Sequence, residues 1–118
     1  MARAGTAPAQ LQSLNPVIHE RTRLTIVTYL ASVREAAFTD LQNELGLTCG
    51  NLTLHMKVLE KNGYVEAEKS FVERRPRTTF RFTKKGEKAF DEYVSLLEGI
   101  LGLTKSAKAK KRKTSKKR

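Results

Sequence analysis

Between Gly46 and Gly63 the apolar residues Leu52, Met56 and Leu59 recur at the three- and four-residue spacing of a helix that buries one face. The other face carries Gly50, Thr53, Leu54, Lys57 and Lys61, with Asn51 beside them. Glycine costs about 1 kcal/mol relative to alanine in a helix interior. A surface helix without a task favours Glu, Ala and Gln at such positions. The front of this helix therefore reads as a surface that something approaches closely. Upstream, Asn15-Pro16 predicts an N-cap and first helical position for "PVIHERTRLTIVTYLAS", with Val17, Leu24, Val27, Tyr29 and Leu30 on or near its apolar face. An extended piece around Glu35–Phe38 precedes a second helix, capped by Thr39, with Leu41 and Leu45 inside and Gly46 as its stop. Thr48 is placed to cap the third helix, and Asn62-Gly63 to end it. Two short helices joined by a tight glycine turn make a helix-turn-helix.

The period then changes. "YVEAEKSFVE" alternates, with Val65, Ala67 and Phe71 as strand positions, and "RTTFRFT" resumes with Phe80 and Phe82 on one face. Between them "RRP" predicts a bend at Pro76, which places Arg74, Arg75 and Arg77 at a hairpin tip. "KKGEKAFDEYVSLLEGILGL" returns to helical spacing, with Phe90, Val94, Leu97 and Leu101 as a stripe that Tyr93 and Ile100 broaden. The expected fold is mainly α with a small β-hairpin, an α+β winged helix-turn-helix with a C-terminal dimerisation helix. Residues 1–14 read as a flexible lead, 15–103 as the folded domain and 104–118 as a disordered lysine-rich tail.

The net charge of +11 changes this picture less than its size suggests. Nine of the 23 basic residues and none of the 12 acidic ones lie between Lys105 and Arg118. The first 104 residues hold 14 basic against 12 acidic residues, a net +2. The tail has no apolar residue larger than alanine and cannot build a core. It fits a solubilising tail, a nuclear localisation signal or an arm that follows phosphate backbones. The folded part favours the arm. The single Cys49 excludes an internal disulfide framework, no apolar run approaches a membrane span, and the N-terminus lacks the apolar stretch of a signal peptide. A cytoplasmic protein without membrane contact, nucleoid-associated when bound to DNA, is the simplest reading.

The second helix of a helix-turn-helix lies in the DNA major groove with its N-terminal residues towards base edges. Gly50, Asn51, Thr53, Leu54 and Lys57 form the expected groove-facing set, with Thr48 at the cap. Asn pairs with adenine, Thr donates or accepts, and an apolar side chain packs on a thymine methyl. Lys57 and His55 are expected to meet phosphate. Arg74, Arg75 and Arg77 suit a narrow, electronegative minor groove. Solvated surface residues on a packing helix are the competing reading. Cys49 falls close to the Leu52–Met56–Leu59 stripe and is expected to be a small buried residue. His19 and His55 have no ligand-type spacing, so no metal or cofactor is expected. No phosphate loop or catalytic constellation is present, so an enzyme is not expected.

The strings "NPVIHERTRLTIVTYL", "FTDLQNELGLTCGNLTLHMKVLEKNGYVEAEKSF" and "ERRPRTTFRFTKKGEKAF" resemble the small single-domain winged-helix regulators of the MarR/ArsR-like group, over roughly residues 15–98. The resemblance implies a bacterial or archaeal transcription factor that binds double-stranded DNA as a homodimer through its terminal helices. It places the recognition helix at Thr48–Asn62 and the wing tip at Glu73–Arg77. Val17 and Ile18 of the first helix, with Phe90, Tyr93, Val94, Leu97, Ile100 and Leu101 of the last, are the expected dimer residues, because both helices are apolar beyond one narrow face. Leu54 departs from the group, which usually has a small polar or basic residue there. The Cys, His and acidic clusters of metal-sensing members are missing, and the tail is not part of the shared pattern. No polar cluster marks a small-molecule effector site. The expected function is a sequence-specific regulator, more readily a repressor. An architectural DNA binder driven by the tail and a protein-interaction winged helix are the alternatives.

Overall fold

The computed structural model describes residues 10–102. In chain order they form helix α1 (Arg21–Val33), strand β1 (Glu35–Ala37), helix α2 (Phe38–Leu45), helix α3 (Cys49–Lys61), strand β2 (Val65–Val72), strand β3 (Arg75–Phe82) and helix α4 (Lys84–Ile100). This is the α+β winged-helix order expected from the sequence. The strands make an antiparallel sheet in the order β1-β3-β2. The chain divides into two compact units, one spanning Asn15–Asp91 and the other formed by residues up to Leu14 and from Glu92 onward. In the second unit residues 10–12 are helical and Leu14 is buried, so regular structure begins before Asn15. Residues 1–9 of the expected lead and the whole lysine-rich tail lie outside the described residues.

Within Asn15–Asp91 one core holds the elements together. Ile26, Val27 and Leu30 of α1, Leu41 of α2, and Leu52, Met56 and Leu59 of α3 are buried, and Val65, Phe80 and Phe82 close the core from the sheet. Each fully buried Leu or Ile contributes roughly 1.5–3 kcal/mol over its exposed state. Leu24 and Tyr29 are only half-buried, whereas Ile26, which the apolar spacing did not select, is fully buried.

Three local expectations are corrected. Helix α1 does not start at Pro16. The side-chain oxygen of Asn15 accepts hydrogen bonds from the amides of Val17 and Ile18 at 2.9 and 3.3 Å, and its side-chain nitrogen donates to the Tyr64 hydroxyl at 2.9 Å. The resulting turn sends Ile18 into the core. The helix begins only after Glu20, whose carboxylate caps it by accepting from the Arg23 amide at 2.8 Å. Helix α2 begins at Phe38 rather than after Thr39, because β1 pairs Ala37 with Thr79 and holds Ala37 extended; Ala37 then stands at the N-cap without a side-chain bond. Pro76 does not make the bend. The β2–β3 register runs from Val65↔Phe82 to Val72↔Arg75, so Glu73 and Arg74 alone form the turn and Arg75, Pro76 and Arg77 lie in β3.

Pro76 is tolerated there for a geometric reason. Phe82 donates its amide to the Arg34 carbonyl at 2.8 Å, on the β1 side of β3. By alternation the nitrogens of residues 80, 78 and 76 face that side too. β1 pairs only with residues 79–81, so β3 is an edge at Pro76 and no ladder bond is lost.

The helix stops follow expectation. Gly46 takes the left-handed conformation (φ 64°) that L side chains avoid, and Asn62 caps α3 ahead of Gly63. Thr83 ties the start of α4 to the end of α3, accepting from the Gly86 amide at 2.9 Å and donating to the Gly63 carbonyl at 2.7 Å. Gly86 packs so closely that a Cβ there would collide with the Tyr64 carbonyl and stand 2.8 Å from the Phe82 ring. Backbone and a buried ring cannot give way cheaply. Gly86→Ala is therefore expected to destabilise the fold by roughly 1–3 kcal/mol although alanine is the better helix former. Urea unfolding of the full chain measures it; an unchanged midpoint would contradict the close packing.

Candidate nucleic-acid interface

Helix α3 is fixed at its start by Thr48, whose hydroxyl accepts from the Asn51 amide at 3.1 Å. With Leu52, Met56 and Leu59 turned inward, the positions on the far side follow from the 3.6-residue period. Gly50, Leu54, Lys57 and Lys61 stand along the front. Asn51 and Thr53 are exposed on opposite flanks, Thr53 on the side of the sheet. Leu54 is 59% exposed at the middle of this surface. A Cβ added at Gly50 would meet nothing within 4 Å, so no packing inside the chain calls for glycine there. Cys49 corrects another expectation. It is exposed, because the whole first turn of α3, from Thr48 to Asn51, projects beyond the core.

His55, expected to meet phosphate, points instead to the start of α1. Its Nδ1 lies 3.0 Å from Arg23 Nη1 and 3.8 Å from Glu20 Oε1, and its side chain is 12% exposed. A guanidinium only donates, so Nδ1 is the acceptor. Arg23 also donates through Nε to the Val17 carbonyl at 2.6 Å. The Arg23 amide, aided by the Arg23 guanidinium, holds the Glu20 carboxyl below the usual carboxylate range against the opposing effect of burial. This cluster braces the middle of α3 against α1.

Glu73 and Arg74 both have positive φ, 52° and 68°, the signature of a type I′ hairpin turn usually filled by Asn and Gly. Arg74 is thus the residue at the tip. Arg75 and Arg77 are paired with Val72 and Ser70 and stand on the same face of the wing as Thr79 and Arg81. Arg81 is held by an ion pair with Glu66. The other face carries Lys69, Phe71, Pro76 and Thr78. It is turned towards α3: a cavity of about 240 Å³ is lined by Thr53, Met56 and Lys57 from α3 with Ala67, Lys69 and Thr78 from the sheet. The three arginines expected together at the tip therefore divide between the tip and the outer face. Lys69 and Phe71 were not assigned to the site by sequence, although period-two alternation from the half-buried Ala67 would have placed them on its α3 side.

Of the expected dimer residues, Ile18 is fully buried and Tyr93 is 3% exposed, so neither offers surface to a second chain. Burial pushes the Tyr93 hydroxyl pKa up. Val17, Phe90, Val94, Leu97 and Ile100 are half-buried and Leu101 is 64% exposed. Among the described residues no His, Cys, Asp and Glu group suits a metal ion, and no helix is long and apolar enough to cross a membrane.

Replacing Glu20 by alanine removes the α1 cap and one arm of the brace. Its carboxyl pKa is lowered in the folded chain, so its contribution is present above the ordinary value of 4.5 and fades as pH falls through the lower folded value. Glu20→Ala is expected to cost about 1 kcal/mol at neutral pH. The gap from wild type should narrow below pH 4.5. Chemical denaturation of both proteins across pH checks this; a constant gap would dissociate the cap from the charge.

The model of the winged helix DNA-binding domain matches residues 22–101. An uncharacterised protein of Methanocaldococcus jannaschii is 36% identical over 78 residues, covering 66% of this chain and 85% of that one. A transcriptional regulator homologue from Pyrococcus horikoshii OT3 superposes with a TM-score of 0.74 at 33% identity, covering 79% of this chain and 94% of that chain. A mutant MarR from Escherichia coli, solved in complex with operator DNA, shares the fold at a TM-score of 0.53 and 18% identity, over 79% of this chain and 70% of that one. The chain belongs to the winged helix DNA-binding domain family and is a small winged-helix regulator, with a fold that MarR-type regulators share.

Proposed function

We propose that the protein is a sequence-specific, homodimeric repressor. Helix α3 enters the major groove, the Arg74-tipped wing reaches the adjacent minor groove, and no catalysis is involved. One observation carries this reading. The outward face of α3 is built for close approach, with an open Gly50 at its first turn and small or cationic residues around Leu54, while its back face is locked into the core. Two features support it. Arg74 occupies a left-handed position where glycine would sit with less strain, which makes sense where the side chain is needed. The operator complex of the E. coli MarR mutant shows that this fold is used on DNA in a relative.

In this reading Asn51, Thr53 and Leu54 meet base edges, and Thr48, Lys57, Arg75 and Arg77 serve the backbone. His55 acts by holding α3 against α1. The second half of α4, through Val94, Leu97, Ile100 and Leu101, is the surface for the second subunit. A twofold dimer requires half-sites about one helical turn apart. The compartment is the cytoplasm. A small-molecule effector is not specified by any feature of the described residues.

An architectural, sequence-independent reading has one observation in its favour, the nine cations between Lys105 and Arg118. Selection from a random duplex library with the full chain and with a chain ending at Thr104 separates the two. A palindromic motif enriched by both forms supports the repressor. No motif, with binding lost on truncation, supports the architectural protein. Gly50→Gln and Asn51→Ala then test the docking of α3. Gly50→Gln should leave thermal stability equal or higher and weaken the enriched duplex by at least tenfold, about 1.4 kcal/mol. Asn51→Ala should relax preference at one position of each half-site by about 1–3 kcal/mol. Wild-type affinity in both variants would remove α3 from the groove.

A further inference from the structure

Phe71 is 73% exposed, more than any other large apolar side chain among the described residues. It lies one residue pair back from the wing tip, directly opposite Pro76. The two-residue turn makes Val72↔Arg75 the hydrogen-bonded closing pair, so Phe71↔Pro76 is a non-hydrogen-bonded pair, the kind that brings side chains closest. The pair forms a small apolar pad near the end of the wing. Its face is the one turned to α3, continuing outward from Ala67 and Lys69 on β2 and from Phe80 and Thr78 on β3.

The surroundings indicate what covers it. Between Lys69 and Thr78 the wing has four cations, Lys69, Arg74, Arg75 and Arg77, against the single carboxylate of Glu73. A partner for an apolar pad ringed by cations is a polyanion that shows carbon between its charges. A nucleic-acid backbone has that alternation, deoxyribose between phosphates. The pad is also set back from the tip. With Arg74 in the minor groove, the ring meets the wall of the groove rather than the base steps.

We propose that Phe71, backed by Pro76, packs on deoxyribose of the backbone ridge between the major groove occupied by α3 and the minor groove reached by Arg74. The contact rests on the DNA-binding reading above and adds a non-ionic component to it. Removing it releases no phosphate contact, so it alters affinity without altering the salt dependence. It is also indifferent to base identity.

The test uses the full chain and a mixed-sequence duplex of about three helical turns, with dissociation constants measured by fluorescence anisotropy across a salt series. Phe71→Ala should weaken binding about tenfold, along a line parallel to wild type in a plot of log K against log salt. Phe71→Leu should fall between them. Arg74→Ala should instead reduce the slope by about one. Thermal midpoints should not move, because Phe71 lies outside the core. Unchanged affinity in Phe71→Ala, or a weakening that comes with a changed slope, overturns the proposal while leaving the DNA-binding reading in place. A wild-type chain that binds no duplex overturns both. A Phe71→Ala chain that changes its sedimentation mass instead of its DNA affinity makes the pad an interface between copies, and also overturns the proposal.

Discussion

A helix that repeats every 3.6 residues can bury only one stripe, and in α3 that stripe is Leu52, Met56 and Leu59. This constraint decides what the rest of the molecule presents. Once these three side chains are in the core, Gly50, Leu54, Lys57 and Lys61 have nowhere to point but outward. The core is shared with Ile26, Val27 and Leu30 of α1 and with Val65, Phe80 and Phe82 of the sheet. The same contacts that bury the stripe therefore set the rotation of α3 relative to the wing. The Glu20–Arg23–His55 cluster adds a polar brace on the remaining side, near the middle of the helix. A reading surface gains precision from being held this way, because its rotamers and its helix axis are both determined by packing that does not involve the partner.

The wing obeys a second constraint, the shortness of β1. Three residues of β1 cover β3 only from Thr79 to Arg81. Beyond that point the outer edge of β3 is free, as that of β2 is, and cross-strand pairing is what holds the ribbon together. A proline at the free edge costs nothing in hydrogen bonds and discourages a stray strand from adding there. The two-residue turn then fixes which side chains share a face. Arg75 and Arg77 go to one face with Arg81, while Lys69 and Phe71 go to the other, beside α3. A one-residue slip of β3 against β2 would move Arg75 and Arg77 to the face of Lys69 and Phe71. The chemistry of the wing is thus settled by its register rather than by its local composition.

Much of this was legible in the sequence where one periodicity dominates. The stripe of α3, the Thr48 cap, the Gly46 stop and the shared face of Phe80 and Phe82 all follow from spacing and local backbone chemistry. The departures occur where a tertiary contact overrides a local signal. Pro16 is a good first helical residue, but Asn15 spends its side-chain oxygen on a turn, and the cap falls to Glu20, a residue type that rarely does this work. Thr39 offers a capping hydroxyl, but sheet pairing has already fixed Ala37 as the last extended residue. Pro76 signals a bend wherever its nitrogen would be missed, and only the length of β1 shows that it is not. Cys49 and His55 were misplaced because a helical wheel does not show where the core ends or which neighbouring element stands beside a flank.

The arrangement on α3 bears on how a DNA sequence would be read. The centre of the exposed face is Leu54, with Gly50 one turn before it, and neither side chain makes a hydrogen bond. The polar side chains of Asn51 and Thr53 stand on opposite flanks. Hydrogen-bond readout by α3 is then confined to the edges of its footprint, with an apolar contact in the middle that suits a thymine methyl. A helix that carries so few base-edge donors has to draw discrimination from elsewhere. In the proposed docking the wing would supply it through shape: an arginine held at a strained tip favours a narrow minor groove, and the register that places Arg74 at the tip is the one that leaves Pro76 at the open edge. On this docking A·T-rich half-sites are favoured twice, by methyl contact at Leu54 and by groove width at Arg74, and the two preferences are coupled because a single core sets the distance between helix and wing.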